Sequence, residues 1–239
     1  MAGVLTRRDV VYAILGAFFL TNAIVAEMIG GKLIHVLPEG VTLYGSRPAA
    51  TAGVFLWPFV FVITDLVNEY FGKRGVRRLS FLAVGVIAYV FLVLRLTMLV
   101  PAAAFPGAVD DASFNLVFGQ STWIIVGSIT AFLVSQLLDV SVFHLLRRRS
   151  GPRMLWLRST GSTVVSQVLD SVIVIWIGLA LPLGWSLGQF VQVAVPNYLI
   201  KLGLAVLMTP VIYLVHWIVE RYLGPTLAHD LAEAAARES

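Results

Sequence analysis

Six stretches of this chain stay apolar for about 20 residues or more, the length a helix needs to cross a bilayer core. They run over roughly 10–36, 52–71, 77–100, 121–147, 159–182 and 188–221. The composition agrees: of 239 residues, 59% are hydrophobic and only 13% charged, about half of soluble usage. Mean hydropathy is +0.89. The expected fold class is all-α, a polytopic membrane helical bundle with six transmembrane helices. A single six-span domain would occupy 1–222, and a polar tail, 223–239, would form a short surface helix or stay disordered. The segments 37–51 and 101–120, rich in Pro, Gly and small residues, read as loops. Arg7 and Arg8 ahead of the first run resemble a signal peptide. That run is too long for one and lacks a small-x-small cleavage site, so it reads as a retained span.

Lys and Arg set the orientation. Arg7 and Arg8 precede the first span. Lys73, Arg74, Arg77 and Arg78 separate the second from the third. Arg147, Arg148, Arg149, Arg153 and Arg158 separate the fourth from the fifth, and Arg221 and Arg237 follow the sixth. The 101–120 loop carries only Asp110 and Asp111, and Arg47 stands alone on the opposite side. Positive loops remain inside, so both termini are expected in the cytoplasm. GKRGVRR at 72–78 is therefore a topology signal, and no nucleic acid is expected as partner.

Inside the spans lie Glu27, Asp65, Glu69, Asp139, Asp170, Arg95 and Lys201. Each mid-span charge costs about 2.5–3.5 kcal/mol on insertion scales, so these groups need partners, water or a ligand. Taken span by span, Glu27, Asp65 and Arg95 read acid, acid, base, and so do Asp139, Asp170 and Lys201. A 3+3 inverted repeat with a site near the midplane is compatible with that order.

Residues three and four apart share a helical face. Asp65, Asn68 and Glu69 share one; so do Gln136, Asp139 and Phe143, then Ser166, Gln167 and Asp170, then Asn197 and Lys201. SQLLD at 135–139 and SQVLD at 166–170 are near copies on consecutive antiparallel spans, expected to approach one cavity. Interhelical hydrogen bonding could account for any one of these groups. Glu69, near a span end beside Lys73, also suits an interfacial pair. Together, four faces with surplus acid suit a ligand rich in N–H donors, or a proton path.

The chain lacks the GxxxxGK[ST], HExxH and GxSxG motifs, and has no cysteine. Neither an enzyme activity nor a cofactor is expected. His35, His144, His216 and His229 are scattered, so no metal site is expected either, and His144 and His216 read as interfacial residues near span ends.

WPFVFVITDLVNEYFGKRG (57–75), SQLLDVSVFHLLRRR (135–149), STGSTVVSQVLDS (159–171) and NYLIK (197–201) occur in order. With them the chain resembles the bacterial queuosine-precursor transporter family, also described as vitamin uptake proteins. The resemblance implies a six-span inner-membrane importer of 7-deazaguanines such as 7-cyano-7-deazaguanine. It carries the family's polar positions to Asp65, Glu69, Gln136, Asp139, Gln167, Asp170, Asn197 and Lys201. The residues fit such a purine-like solute. A carboxylate can take its N1–H and NH₂ together, with Asp139 or Asp170 the expected holder. Gln, Asn or Lys can serve its carbonyl, and Trp57, Phe61, Phe143 or Tyr198 its ring. Other readings stay open: proton coupling, or a substrate-binding subunit of an energy-coupling complex, with Ala13 and Ala17 as a helix contact. Membrane lipid is an expected partner, and a homo-oligomer is compatible with the sequence.

Overall fold

The computed structural model describes residues 5–30, 32–35, 38–42, 47, 49–119, 122–150 and 154–237. Arg153 and part of the 37–51 loop lie outside the described residues. Helix α1, Arg7–Met28, starts at a capping box in which Thr6 and Asp9 satisfy each other's backbone amides. Its buried stripe, Val11, Leu15, Phe19, Ala23 and Ala26, keeps helical spacing. The helix ends well short of residue 36, where the first span was expected to stop. Beyond it, β1 (Leu33–His35), inside the expected first span, pairs antiparallel with β2 (Ala49–Thr51), in the expected loop, Ile34 opposite Ala50. At the end of α1, Ile29 and Gly30 tighten into a turn, their amides donating to the Val25 and Glu27 carbonyls.

A short 3₁₀ turn, Ala52–Phe55, leads into α2, Trp57–Met98. At Gly72 the backbone takes φ 66°, ψ −172°, a region essentially reserved for glycine. The chain reverses there. Gly53 touches the backbone of Ala26, and the Phe71 and Tyr12 rings lie 4.8 Å apart. Tyr12 then donates to the Gly75 carbonyl at 3.0 Å, and Leu79 reaches Gly16. The arm 57–71 thus descends along α1 and the arm 73–98 climbs back beside it. No loop separates them, contrary to expectation: Lys73, Arg74, Arg77 and Arg78 belong to the first turns of the second arm.

Inside the expected 101–120 loop, α3 forms over Asp111–Phe118. Asp110 caps it by accepting from the Ser113 amide at 2.6 Å, which holds its carboxyl below the usual range. Helix α4, Thr122–Ser150, and α5, Leu155–Ile175, run antiparallel in close contact. Helix α5 passes through a π turn, Trp176–Ala180, into the short α6, Leu181–Leu183. At the π turn the two backbones nearly touch: a Cβ on Gly127 would stand 2.8 Å from the Gly178 amide nitrogen.

The expected final span over 188–221 is two helices, α7 (Leu187–Leu207) and α8 (Thr209–Leu223). Pro210, which cannot donate to the preceding turn, accounts for the break at Met208. The tail folds into α9, Pro225–Arg237, which packs on α2 through Ala228, Leu231 and Ala235. Among the described residues, five helical runs are long and apolar enough to cross a membrane: Arg7–Met28, Ala52–Met98, Asp111–Ser150, Leu155–Leu183 and Leu187–Leu207. The second doubles back at Gly72. Large apolar side chains such as Phe18, Phe81, Leu92, Val165 and Leu214 face outward, as they must against lipid.

Candidate functional site

At the end of the bundle away from the arginines lies a cavity of about 250 Å³. Helix α1 supplies Glu27 from its last turn, and α2 supplies Trp57 from its first. Helix α4 brings Ser128, α5 Asp170, and α7 Asn197 and Lys201. The Lys201 ammonium is ion-paired with Asp170, each side chain only 13% exposed. Ser135 donates to the other Asp170 oxygen at 3.4 Å. Ser128 donates to Glu27, and Asn197 to the Ser171 hydroxyl at 3.4 Å. The Trp57 ring forms an apolar wall, supported by Phe132 at 5.7 Å and Phe61 at 6.2 Å. Apolar walls around a few convergent polar groups are the usual small-molecule arrangement, and this volume sits just below the common range of about 300–1,000 Å³.

A second cavity, about 430 Å³, opens at the opposite, arginine-rich end. Glu69, Tyr70, His216 and Glu220 line it, with α9 along one side. Tyr70 and His216 are bonded at 2.9 Å.

Between the two chambers the helices are sealed by polar side chains. Ser159 donates to Asp65, and Ser166 to Asp139 at 3.0 Å; the two carboxylates are electrostatic neighbours. Gln136 and Gln167, each 1% exposed, have carboxamides with no hydrogen-bond partner among the described residues. Buried amides are rarely left so. Nearer the arginine-rich end, Asn68 meets His144 at 2.9 Å. Glu69 there binds two arginines from different helices, Arg147 at 3.3 Å and Arg158 at 3.1 Å. Arg158 also lies over the Phe143 ring, 5.8 Å from its centre.

The expected site therefore divides. Glu27, Trp57, Asp170, Asn197 and Lys201 meet in one cavity. Asp65, Asn68, Gln136, Asp139, Ser166 and Gln167 form the layer beneath. The SQLLD and SQVLD stretches interlock in antiparallel register, but only Asp170 reaches the cavity. Phe61 and Asp65 face a narrow slit beside α5, and Tyr198 donates to the Val164 carbonyl at 3.3 Å. Glu69 pairs with Arg147, which is half-buried, and with the buried Arg158, rather than with Lys73.

Other expectations need correction. Arg95 is exposed in the last turn of α2, where a long cationic side chain reaches water, and it joins neither chamber. Arg158 is not a loop residue but a 1% exposed member of α5, and His144 is buried rather than interfacial. Sequence reasoning also passed over Ser128, Ser135 and Ser159. The signal was present in part: Ser159, Ser162 and Ser166 repeat at helical spacing along one face.

Long apolar helices around a polar, solute-sized chamber, with a second chamber beyond a polar seal, define a multi-pass membrane transporter. A family profile described as "Putative vitamin uptake transporter" matches residues 51–215, more than half of the chain, and the chain belongs to that family. It is 30% identical to a probable queuosine precursor transporter of Bacillus subtilis (strain 168), over 72% of this chain and 73% of that protein. It is 29% identical to the queuosine precursor transporter of Escherichia coli (strain K12), over 65% and 67%. A probable queuosine precursor transporter of Haemophilus influenzae is 26% identical over 66% and 65%. No solved structure matches the chain.

Proposed function

We propose that this chain is a six-span inner-membrane importer of queuosine precursors, 7-cyano-7-deazaguanine or its aminomethyl relative. The relatives' names suggest the solute, and the 250 Å³ chamber is the observation that carries the reading. A deazaguanine offers N1–H and an exocyclic NH₂ side by side. Asp170, or Glu27 across the chamber, accepts both through one carboxylate. Lys201 or Asn197 donates to the neighbouring carbonyl, and Trp57 covers the flat ring. Of the two expected aspartates, Asp170 is thus the contact, while Asp139 belongs to the layer the solute crosses next.

The reversal at Gly72 turns five helical runs into six crossings and brings the arginine-rich ends together on one side. Positive-inside orientation then puts both termini in the cytoplasm. The smaller chamber faces outward and the larger inward. Glu69, Arg147 and Arg158 close the inner side, and Gln136 and Gln167 give a polar solute partners on its way through. A 3+3 inverted repeat would set Arg95 against Lys201. Arg95 stands at an exposed helix end, so the proposal does not rest on the repeat. Asp65 and Asp139, in line between the chambers, favour proton coupling; uptake that ignores an uncoupler would remove that part.

The direct test is uptake of labelled 7-cyano-7-deazaguanine into cells lacking their own importer and synthesis route. Expression of this chain should restore accumulation. No uptake by protein demonstrably present in the membrane would end the reading.

A further inference from the structure

A further concave site lies outside the two chambers. At the arginine-rich end, on the outside of the bundle, a cavity of about 400 Å³ opens between α1 and the second arm of α2. Arg8 and Tyr12 line it from α1, and Arg74 and Arg78 from the arm. Each pair is four residues apart, so each helix presents one face to the cleft. Phe71 forms part of the wall, with the Arg8 guanidinium 6.0 Å from its ring centre. Tyr12 donates to the Gly75 carbonyl across the cleft at 3.0 Å and ties the two helices together. The one carboxylate in the lining, Asp9, is engaged by the Thr6 hydroxyl at 2.6 Å and the Thr6 amide at 3.1 Å. Three arginines thus line a cleft whose single acid caps a helix.

We propose that this cleft binds the phosphate-bearing headgroup of an anionic phospholipid. A guanidinium fork fits phosphate oxygens two at a time. The position decides the source of the phosphate. Both flanking helices enter the membrane just beyond the cleft, with Ile14 and Phe18 on α1 and Phe81 and Leu82 on the arm facing outward. A lipid seated there lays its acyl chains on those apolar residues while its headgroup meets the arginines. Basic pockets between membrane helices on the cytoplasmic side hold anionic headgroups in this way. The site lies apart from the transport path, so it would belong to the protein whatever its solute.

Native mass spectrometry of the full-length protein, released from mixed phosphatidylglycerol and phosphatidylcholine micelles, tests this. Phosphatidylglycerol should stay bound in preference to phosphatidylcholine. The variant R8Q/R74Q/R78Q should lose that retention by roughly tenfold or more, since each cation near a headgroup is worth about fivefold. The control R148Q/R149Q/R237Q, with equal charge removed elsewhere, should keep it. The variant R8K/R74K/R78K preserves charge and topology but not the planar fork, and should fall between parent and Gln variant. Equal retention in the Gln variant and its control would overturn the proposal, as would no preference between the two lipids. Displacement of the lipid by an equal concentration of inorganic phosphate would assign the cleft to a soluble anion and overturn the lipid reading.

Discussion

Asp170 on α5 and Lys201 on α7 form an ion pair that is part of the wall of the chamber of about 250 Å³. Each neutralises the other in low dielectric, and each remains within reach of a solute. Asp170→Asn should weaken solute binding roughly 10- to 100-fold, the usual worth of a charged hydrogen bond. Lys201→Met alone leaves a carboxylate uncompensated and should destabilise the fold by about 3–5 kcal/mol. The double variant should regain stability without regaining transport. Melting in detergent and uptake in cells separate the two effects. Normal uptake by the double variant would remove the pair from the site.

Trp57 should act through its ring face. Trp57→Ala is expected to cost about 1–3 kcal/mol of binding, the worth of base-on-aromatic stacking, while Trp57→Phe keeps most of it. Solute titration of the purified protein by intrinsic fluorescence or calorimetry reads this. Equal loss in both variants would point to packing against Phe61 and Phe132 instead.

Glu69 should matter to closure more than to binding. Glu69→Gln strips the buried Arg158 and the half-buried Arg147 of their shared partner and should destabilise by about 3–5 kcal/mol. It should also raise passive leak of labelled precursor from loaded vesicles, with solute affinity little changed. A large affinity loss without leak would return Glu69 to the binding set.

The pattern of success and failure in the sequence has a physical logic. Charges inside apolar runs were legible because insertion cost singles them out, and Glu27, Asp170 and Lys201 do meet in one chamber. Arg158 and Arg147 were not, because a guanidinium in a basic turn and one at a buried helix start look alike until the partner is known. Glu69's partners stand 78 and 89 residues away, beyond any helical periodicity. His144 was hidden for the same reason: Asn68, its partner, comes from another helix. The hairpin end of span one and the break at Met208 were missed because hydropathy does not register backbone direction.

Gly127 should be intolerant of any side chain. A methyl there would meet the Gly178 amide nitrogen at 2.8 Å, so Gly127→Ala should cost about 1–3 kcal/mol of overpacking and reduce uptake. Gly178→Ala is the contrast, since its methyl would find Ile124 Cα at an ordinary 3.4 Å and should be milder. Thermal melts of the two variants side by side provide the check. Equal stability would show that the helices separate there without cost.

The reversal at Gly72 uses one residue where connections between helices commonly use about 2–8. Two long helices joined so tightly, and packed together on α1, have no slack with which to part. They form one mechanical body. Whatever motion exposes the chambers to their two sides in turn has to occur along other seams: against the α4–α5 pair, or at the Met208 joint. On this account a single glycine would set a rigid helix pair apart from the seams that open.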